Sequence, residues 1–207
     1  MLNTKNYPFT KEEKSIIEKI NKAYDMDNLD KFNLYYELLI SGNEKINLTA
    51  ITDKEGVLYK HFLDSIALSK YCDLSGKKLI DVGTGAGFPG LPLAIMNSDC
   101  DVTLLDSLNK RVNFLKLVAE ELNLSNVNCF HGRAEDYGFN PSFREKFDIV
   151  TSRAVANLST LSEYCIPFVK TGGYFIPYKS LQSANKKRNK SERHRNDQTE
   201  RRRKPSR

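Results

Sequence analysis

The sequence predicts a doubly wound α/β fold behind a small helical cap, and three observations carry that expectation. Five short apolar runs, at 79–82, 102–105, 127–130, 147–151 and 174–176, show little polar alternation. Segments of helical periodicity separate them, near 89–97, 108–123 and 155–168. Between the first run and the first of these helices lies Asp81-Val82-Gly83-Thr84-Gly85-Ala86-Gly87-Phe88-Pro89-Gly90-Leu91-Pro92, a glycine-spaced turn. Unalternating runs interleaved with helices call for a parallel sheet buried on both faces.

The helical part comes first. Thr10 to Glu13 forms a capping box, and Ile16, Ile17, Ile20 and Tyr24 fall on one face of a helix over 10–25. A second helix spans about 28–40, with Phe32, Tyr35, Tyr36 and Leu39 on its apolar stripe. A loop through Asn47-Leu48-Thr49-Ala50-Ile51 follows. Thr52 to Glu55 then reads as another capping box, opening a helix that carries Leu58, Phe62 and Ile66.

From residue 77 the period changes to short strands. Prolines at 89 and 92 suit a first helical turn, where a missing N–H costs nothing. Glycines at 83, 85 and 87 let the backbone turn sharply and approach a ligand with no Cβ in the way. Val112, Leu115, Ala119 and Leu122 mark a strong amphipathic helix. Pro177 closes the last run and suits a strand end. The chain thus divides into a cap over 1–70, a Rossmann-like domain over 71–179 and a basic tail over 180–207.

With 207 residues the chain can bury one good core with a small appendage. Four cysteines stand apart with no C-x-x-C pair and three histidines do not gather near them, which argues against a disulfide framework and a metal site. The polar start and the lack of any long apolar run predict a cytoplasmic chain with no membrane span. The net charge of +6 is unevenly placed. Residues 180–207 hold 11 of the 32 Lys and Arg and 3 of the 26 Asp and Glu, so 11 less 3 leaves +8 there and −2 on the remainder. Net charge alone is therefore no argument that the body binds nucleic acid.

The loop narrows the ligand class. A dinucleotide fingerprint needs a third glycine where this chain has Phe88. G-x-G-x-G after Asp81 looks instead like the S-adenosylmethionine loop of Rossmann-like methyltransferases, where a carboxylate suits the cationic end of the cofactor and Gly83 and Gly85 expose backbone. Asp106 at the end of the next run is placed to accept from both ribose hydroxyls. The bland alternative is a tight turn that binds nothing.

A narrower resemblance rests on an ordered series: Asn47 to Ile51, His61-Phe62-Leu63-Asp64-Ser65, the Asp81–Pro92 loop, Asp106-Ser107 with Lys110-Arg111 and Phe114-Leu115, Arg133-Ala134-Glu135, and Ser152-Arg153-Ala154. Over about residues 10–179 this closely resembles the glucose-inhibited division protein B family, also called ribosomal RNA small subunit methyltransferase G. The resemblance implies methyl transfer from S-adenosylmethionine to N7 of guanine 527 in 16S ribosomal RNA, on the RNA or the small subunit; the alternatives are a small-molecule methyltransferase on the same fold and an inactive cofactor- or RNA-binding remnant, and a monomer is expected. It carries cofactor contacts to Gly83, Phe88, Ala134, Glu135 and Arg153. Glu135 either reads the adenine edge or is an acid favoured by a helix start. Arg153 steers the cofactor carboxylate, holds an RNA phosphate, or pairs with a surface acid. Lys110, Arg111 and Arg133 are candidate phosphate contacts, with solvated helix charge as the alternative for the first two. His61 is a candidate in the same region, or a histidine hydrogen bonded inside the cap interface.

No catalytic acid or base is expected, because guanine N7 loses no proton on methylation. Ser152-Arg153-Ala154-Val155 stands where exocyclic-amine methyltransferases carry an Asn/Asp-Pro-Pro-aromatic motif, and Cys165 sits in an apolar helix pattern rather than as a nucleophile. The match ends after Tyr178-Lys179. Beyond it Asn185-Lys186-Lys187-Arg188-Asn189-Lys190 reads as an out-of-frame translation or as a basic RNA-binding arm, and a helix and two strands expected of a complete domain are missing.

Overall fold

The computed structural model describes residues 28–153 and 157–178. The expected helix over 10–25, residues 154–156 and the tail lie outside the described residues. Five strands form one parallel sheet: β1 (Lys78–Val82), β2 (Asp101–Asp106), β3 (Val127–His131), β4 (Phe147–Arg153) and β5 (Val169–Tyr178), in the order β3-β2-β1-β4-β5. The order reverses between β1 and β4, which opens a crevice at the carboxyl ends of the strands.

Both faces of the sheet are covered, as the unalternating runs require. Leu79, Val102, Leu104 and Ile149 point into one cluster; their neighbours Ile80, Leu105 and Val150 point into the other. The first cluster is closed by α1 (Leu29–Ile46), by α3 (Gly90–Met96) and by α4 (Asn109–Glu121). The second is closed by the short α5 (Ala134–Phe139) and by α6 (Leu158–Cys165), which runs on through a 3-10 turn, Ile166–Phe168. No described helix is long and apolar enough to cross a membrane, and the described residues hold no group of three or more His, Cys, Asp or Glu arranged to bind a metal.

Between α1 and β1 lies a composite helix, α2, which is α-helical over Lys54–Val57, widens to a π-helix over Leu58–Leu63, and returns through Asp64–Ile66 to a 3-10 turn, Ala67–Lys70. Its cap is Asp53 rather than Thr52: the Asp53 carboxylate accepts from Gly56 N at 2.6 Å. The backbone of Thr52 is engaged elsewhere, its carbonyl accepting from the Tyr36 hydroxyl at 3.2 Å.

The cap helices share the sheet's core. Tyr35 on α1 is fully buried, stacks on Phe62 of α2 at 5.2 Å, lies 5.4 Å from Phe88 of the loop, and donates its hydroxyl to Ala86 O at 2.6 Å. Asn28 adds a bond from its side-chain amide to Ile95 O at 3.0 Å. Aromatic pairs of this kind add roughly 1 kcal/mol each beyond the area they bury.

Asp81 closes the architecture. Its carboxyl is fully buried. One oxygen accepts from the Thr84 hydroxyl at 2.6 Å and from Gly90 N at the start of α3 at 3.0 Å; the other accepts from the Thr151 hydroxyl of β4 at 3.2 Å. Gly90 must be glycine here, because a Cβ would lie 2.3 Å from Leu104 and 3.1 Å from Asp81. Burial pushes the Asp81 carboxyl up to about 6, against the pull of those hydrogen bonds and of Arg153.

Two outcomes follow. The folded chain keeps the Asp81 proton up to about pH 6, whereas the unfolded chain releases it near 3.8, so this group lowers stability as pH rises through that window. Comparing urea unfolding of the wild type and Asp81→Asn, the wild type loses about 2 kcal/mol relative to the variant between pH 4.5 and 7; parallel pH profiles would contradict the assignment. Tyr35→Phe leaves Ala86 O unsatisfied and lowers the unfolding free energy by about 1–2 kcal/mol at unchanged denaturant slope; an unchanged midpoint would count against the bond.

Candidate functional site

A cavity of about 390 Å³ opens above the carboxyl ends of β1, β2 and β3, lined from below by Val82, Gly83, Leu105 and Asp106 and from the far side by Leu161 and Tyr164 of α6. Its size falls within the range of small-molecule sites. Each strand ends in a turn that delivers a different group. After β1, Gly83 and Gly85 take φ of 69° and 62°, a left-handed conformation that favours glycine. After β2, Asp106 is nearly buried: one oxygen accepts from Gly85 N at 2.9 Å and the other from Leu108 N at 2.9 Å. After β3, Arg133 precedes α5, whose first turn holds Ala134 and Glu135.

Asp106 on β2 and Asp81 on β1 thus hold the glycine loop from two strands. Arg111 on α4 backs Asp106, its guanidinium 3.6 Å from the carboxylate, and its buried Nε has no partner among the described residues. Chemically, the cavity offers a carboxylate at the rim, bare backbone at Gly83, and apolar walls from Leu105, Leu108, Ala134 and Leu161. That combination suits a nucleoside: a diol for the carboxylate and a flat base for the walls.

Of the residues singled out in the sequence, Gly83, Asp106, Arg133, Ala134 and Glu135 meet at this cavity. Gly85 is one hydrogen bond away. Glu135 is exposed and stands in the first turn of α5, so both features considered for it coincide. Asp81 stands apart: fully buried beneath the loop, it acts on the cavity through the loop's shape rather than by facing it. Lys110 is an exposed residue of the first turn of α4.

Phe88, His61 and Arg153 form a second group where α2, the loop and β4 converge. His61 stacks on Phe88 at 4.6 Å and 21°, and the Arg153 guanidinium lies 4.8 Å from the centre of the same ring. Arg153 donates to Lys60 O at 3.3 Å, pairs with the half-exposed Asp64 at 3.5 Å, and lies 3.3 Å from His61 Nδ1. Burial, with the Arg153 charge adding to it, pushes the His61 imidazole down to about 4, so the ring is neutral at neutral pH. The Cys165 thiol is fully buried and pushed up to about 12, also by burial, which suits packing rather than nucleophilic work.

Sequence reasoning did not single out Ser107, Leu108, Gly132, Leu161 or Tyr164 as cavity residues. Leu161 and Tyr164 were findable only as an i, i+3 pair on one helix face. Thr49, whose hydroxyl lies 2.8 Å from His61 Nε2, carried a motif but no assigned task.

The family model and the curated relatives point to one family. The model of the family described as rRNA small subunit methyltransferase G matches residues 28–206, so it runs past Lys179, where the sequence reading ended the resemblance. Ribosomal RNA small subunit methyltransferase G of Lachnoclostridium phytofermentans is 58% identical over 153 residues, which is 73% of this chain and 63% of that protein. The Clostridium perfringens protein of the same name is 54% identical over 167 residues, 80% of this chain and 70% of its own length. The chain therefore spans under two thirds of the first of these relatives. A solved S-adenosylmethionine-dependent methyltransferase from Aquifex aeolicus is 21% identical with a TM-score of 0.49, covering 67% of this chain and 71% of its own; the fold described above stands on its own strand order. With a family match across most of its length and relatives above half identity, this chain belongs to the rRNA small subunit methyltransferase G family.

Proposed function

We propose that the chain binds S-adenosylmethionine in the cavity above β1, β2 and β3 and directs its methyl group to N7 of guanine 527 in 16S ribosomal RNA. The observation that carries the reading is the Asp106 carboxylate, nearly buried at the rim of a cavity of nucleoside size, with the Gly83 backbone beside it. S-adenosylmethionine supplies an electrophilic methyl group on a sulfonium sulfur. Everything else is the work of this chain's residues.

Asp106 accepts from the ribose hydroxyls with the lone pairs that Gly85 and Leu108 leave free. Ala134 and Glu135 meet the adenine edge, with Leu108 against its face. Gly83 lets the methionine portion approach the backbone, and Phe88 and Arg153 close that end, the guanidinium serving the carboxylate. Guanine N7 offers a lone pair and loses no proton, so alignment rather than proton transfer is what the residues must provide. Exposed Arg133 at the cavity and Lys110 on α4 hold phosphates of the incoming RNA.

Calorimetric titration with S-adenosylmethionine, followed by methyl transfer to small-subunit RNA lacking the modification, tests the reading. Binding and a single 7-methylguanine at position 527 are expected; methylation of another atom or of no RNA would remove the proposed substrate, and no binding by folded protein would remove the cofactor. Asp106→Asn is expected to weaken S-adenosylmethionine binding roughly 10- to 100-fold while the chain stays folded, because a charged acceptor becomes a neutral amide. Equal affinity would take Asp106 out of the site.

A further inference from the structure

Beyond the cavity itself, the second group of residues contains a hydrogen-bond series whose polarity the geometry determines. We propose that His61 is a positioning residue for Arg153, with Thr49 seating its ring: the donor-only guanidinium selects the Nε2–H imidazole, and the Nδ1 lone pair this leaves orients the guanidinium over Phe88. The consequence for ligand binding rests on the reading above, in which Arg153 serves the carboxylate end of S-adenosylmethionine.

The direction of each bond follows from what each group can do. Arg153 has donors and no acceptor, so His61 Nδ1, 3.3 Å from its NH2 nitrogen, must accept. A neutral ring with Nδ1 bare carries its proton on Nε2. That N–H donates to Thr49 Oγ1 at 2.8 Å, and the same oxygen accepts from Ile51 N at 3.1 Å. Reversing the tautomer would set an N–H against the guanidinium, whereas the Thr49 hydroxyl, able to donate or accept, would serve Nε2 in either form, so Arg153 selects the tautomer.

Each end of the series is anchored. Asn43 of α1 accepts from both Leu48 N at 2.6 Å and Thr49 N at 2.8 Å, and Asn47 takes a left-handed φ of 49°, so a side chain of one helix folds the loop that presents Thr49. At the other end, Arg153 sits at the end of β4 with its side chain 15% exposed. Its ion pair with Asp64 is half in solvent and constrains it weakly. The bond to His61 lies deeper and is directional. The depressed imidazole, near 4, keeps the acceptor available at neutral pH.

A purely structural His61 would fill space on Phe88 and nothing more. Two replacements separate the readings. His61→Asn places an amide oxygen near the Nδ1 position, within reach of Arg153; His61→Gln reaches toward the Nε2 position and Thr49. Both lose the ring. The proposal expects S-adenosylmethionine affinity within about threefold of wild type for His61→Asn and about tenfold weaker for His61→Gln. Equal losses would overturn it.

Nitrogen-15 spectra of the wild-type imidazole provide a readout that needs no ligand. Nδ1 unprotonated and Nε2 protonated at neutral pH is expected, retained in Thr49→Ser and mixed in Arg153→Met, which removes the donor facing Nδ1. A proton on Nδ1 in the wild type, or an unmoved tautomer in Arg153→Met, would overturn the proposal. Should wild-type protein show the expected tautomer and bind no S-adenosylmethionine, the orienting of Arg153 stands and the cofactor reading alone falls.

Discussion

The buried carboxyl of Asp81 is the constraint on which the rest of the structure depends. A charge taken out of water costs several kcal/mol unless its lone pairs are matched, and here they are matched by groups from three separate places: Thr84 in the loop, Gly90 at the start of α3, and Thr151 on β4. The bond to Gly90 also satisfies one of the free N–H groups of a helix start. One side chain thereby ties together the two strands between which the sheet order reverses, the loop above them and the helix beyond. Asp106 repeats the device one strand over, accepting from Gly85 N. Between them the two acids hold the loop whose first glycine, Gly83, lines the cavity.

The cap helices complete the same construction from the side. Tyr35, Phe62 and Phe88 come from α1, α2 and the loop and pack into one aromatic group within the first hydrophobic cluster. Because the loop leans on the cap through Phe88, what α2 does is felt at the loop. His61 and Arg153 occupy that contact, both against the Phe88 ring and 3.3 Å from each other. The cap therefore supplies part of the site's framework, and its aromatic residues serve packing and function together.

How much of this was legible in the sequence depended on range. The glycine loop, Asp81 and Asp106 were readable because strand, turn and acid follow one another within a few residues. The parallel sheet was readable because strands buried on both faces leave no alternation. Short elements were harder: α5 has six residues with Gly138 inside it, too few to show a helical period. β5 begins five residues before its apolar core because Lys170–Gly173 interrupt the pairing, the register with β4 shifting between Val169 and Tyr174. The cap of α2 moved by one residue because Thr52 and Asp53 both carry capping chemistry, and position along the chain alone does not choose between them. Contacts across 70 or more residues left no local trace. Thr151 beneath Asp81 and His61 beside Arg153 are of this kind, as is the cavity wall from Leu161 and Tyr164, where the sequence shows an apolar helix face but not what it faces.

The central claim is that ligand chemistry converges on the carboxyl ends of β1, β2 and β3, with the loop held between two acids. Amide chemical-shift mapping of the folded chain during titration with S-adenosylmethionine tests it most directly. The account predicts that the largest changes fall on Gly83 to Phe88, on Asp106 to Leu108 and on Gly132 to Glu135, with the outward edge of β5 unmoved. Changes centred elsewhere, or a saturating ligand that leaves the amides of Gly85 and Leu108 untouched, would contradict it.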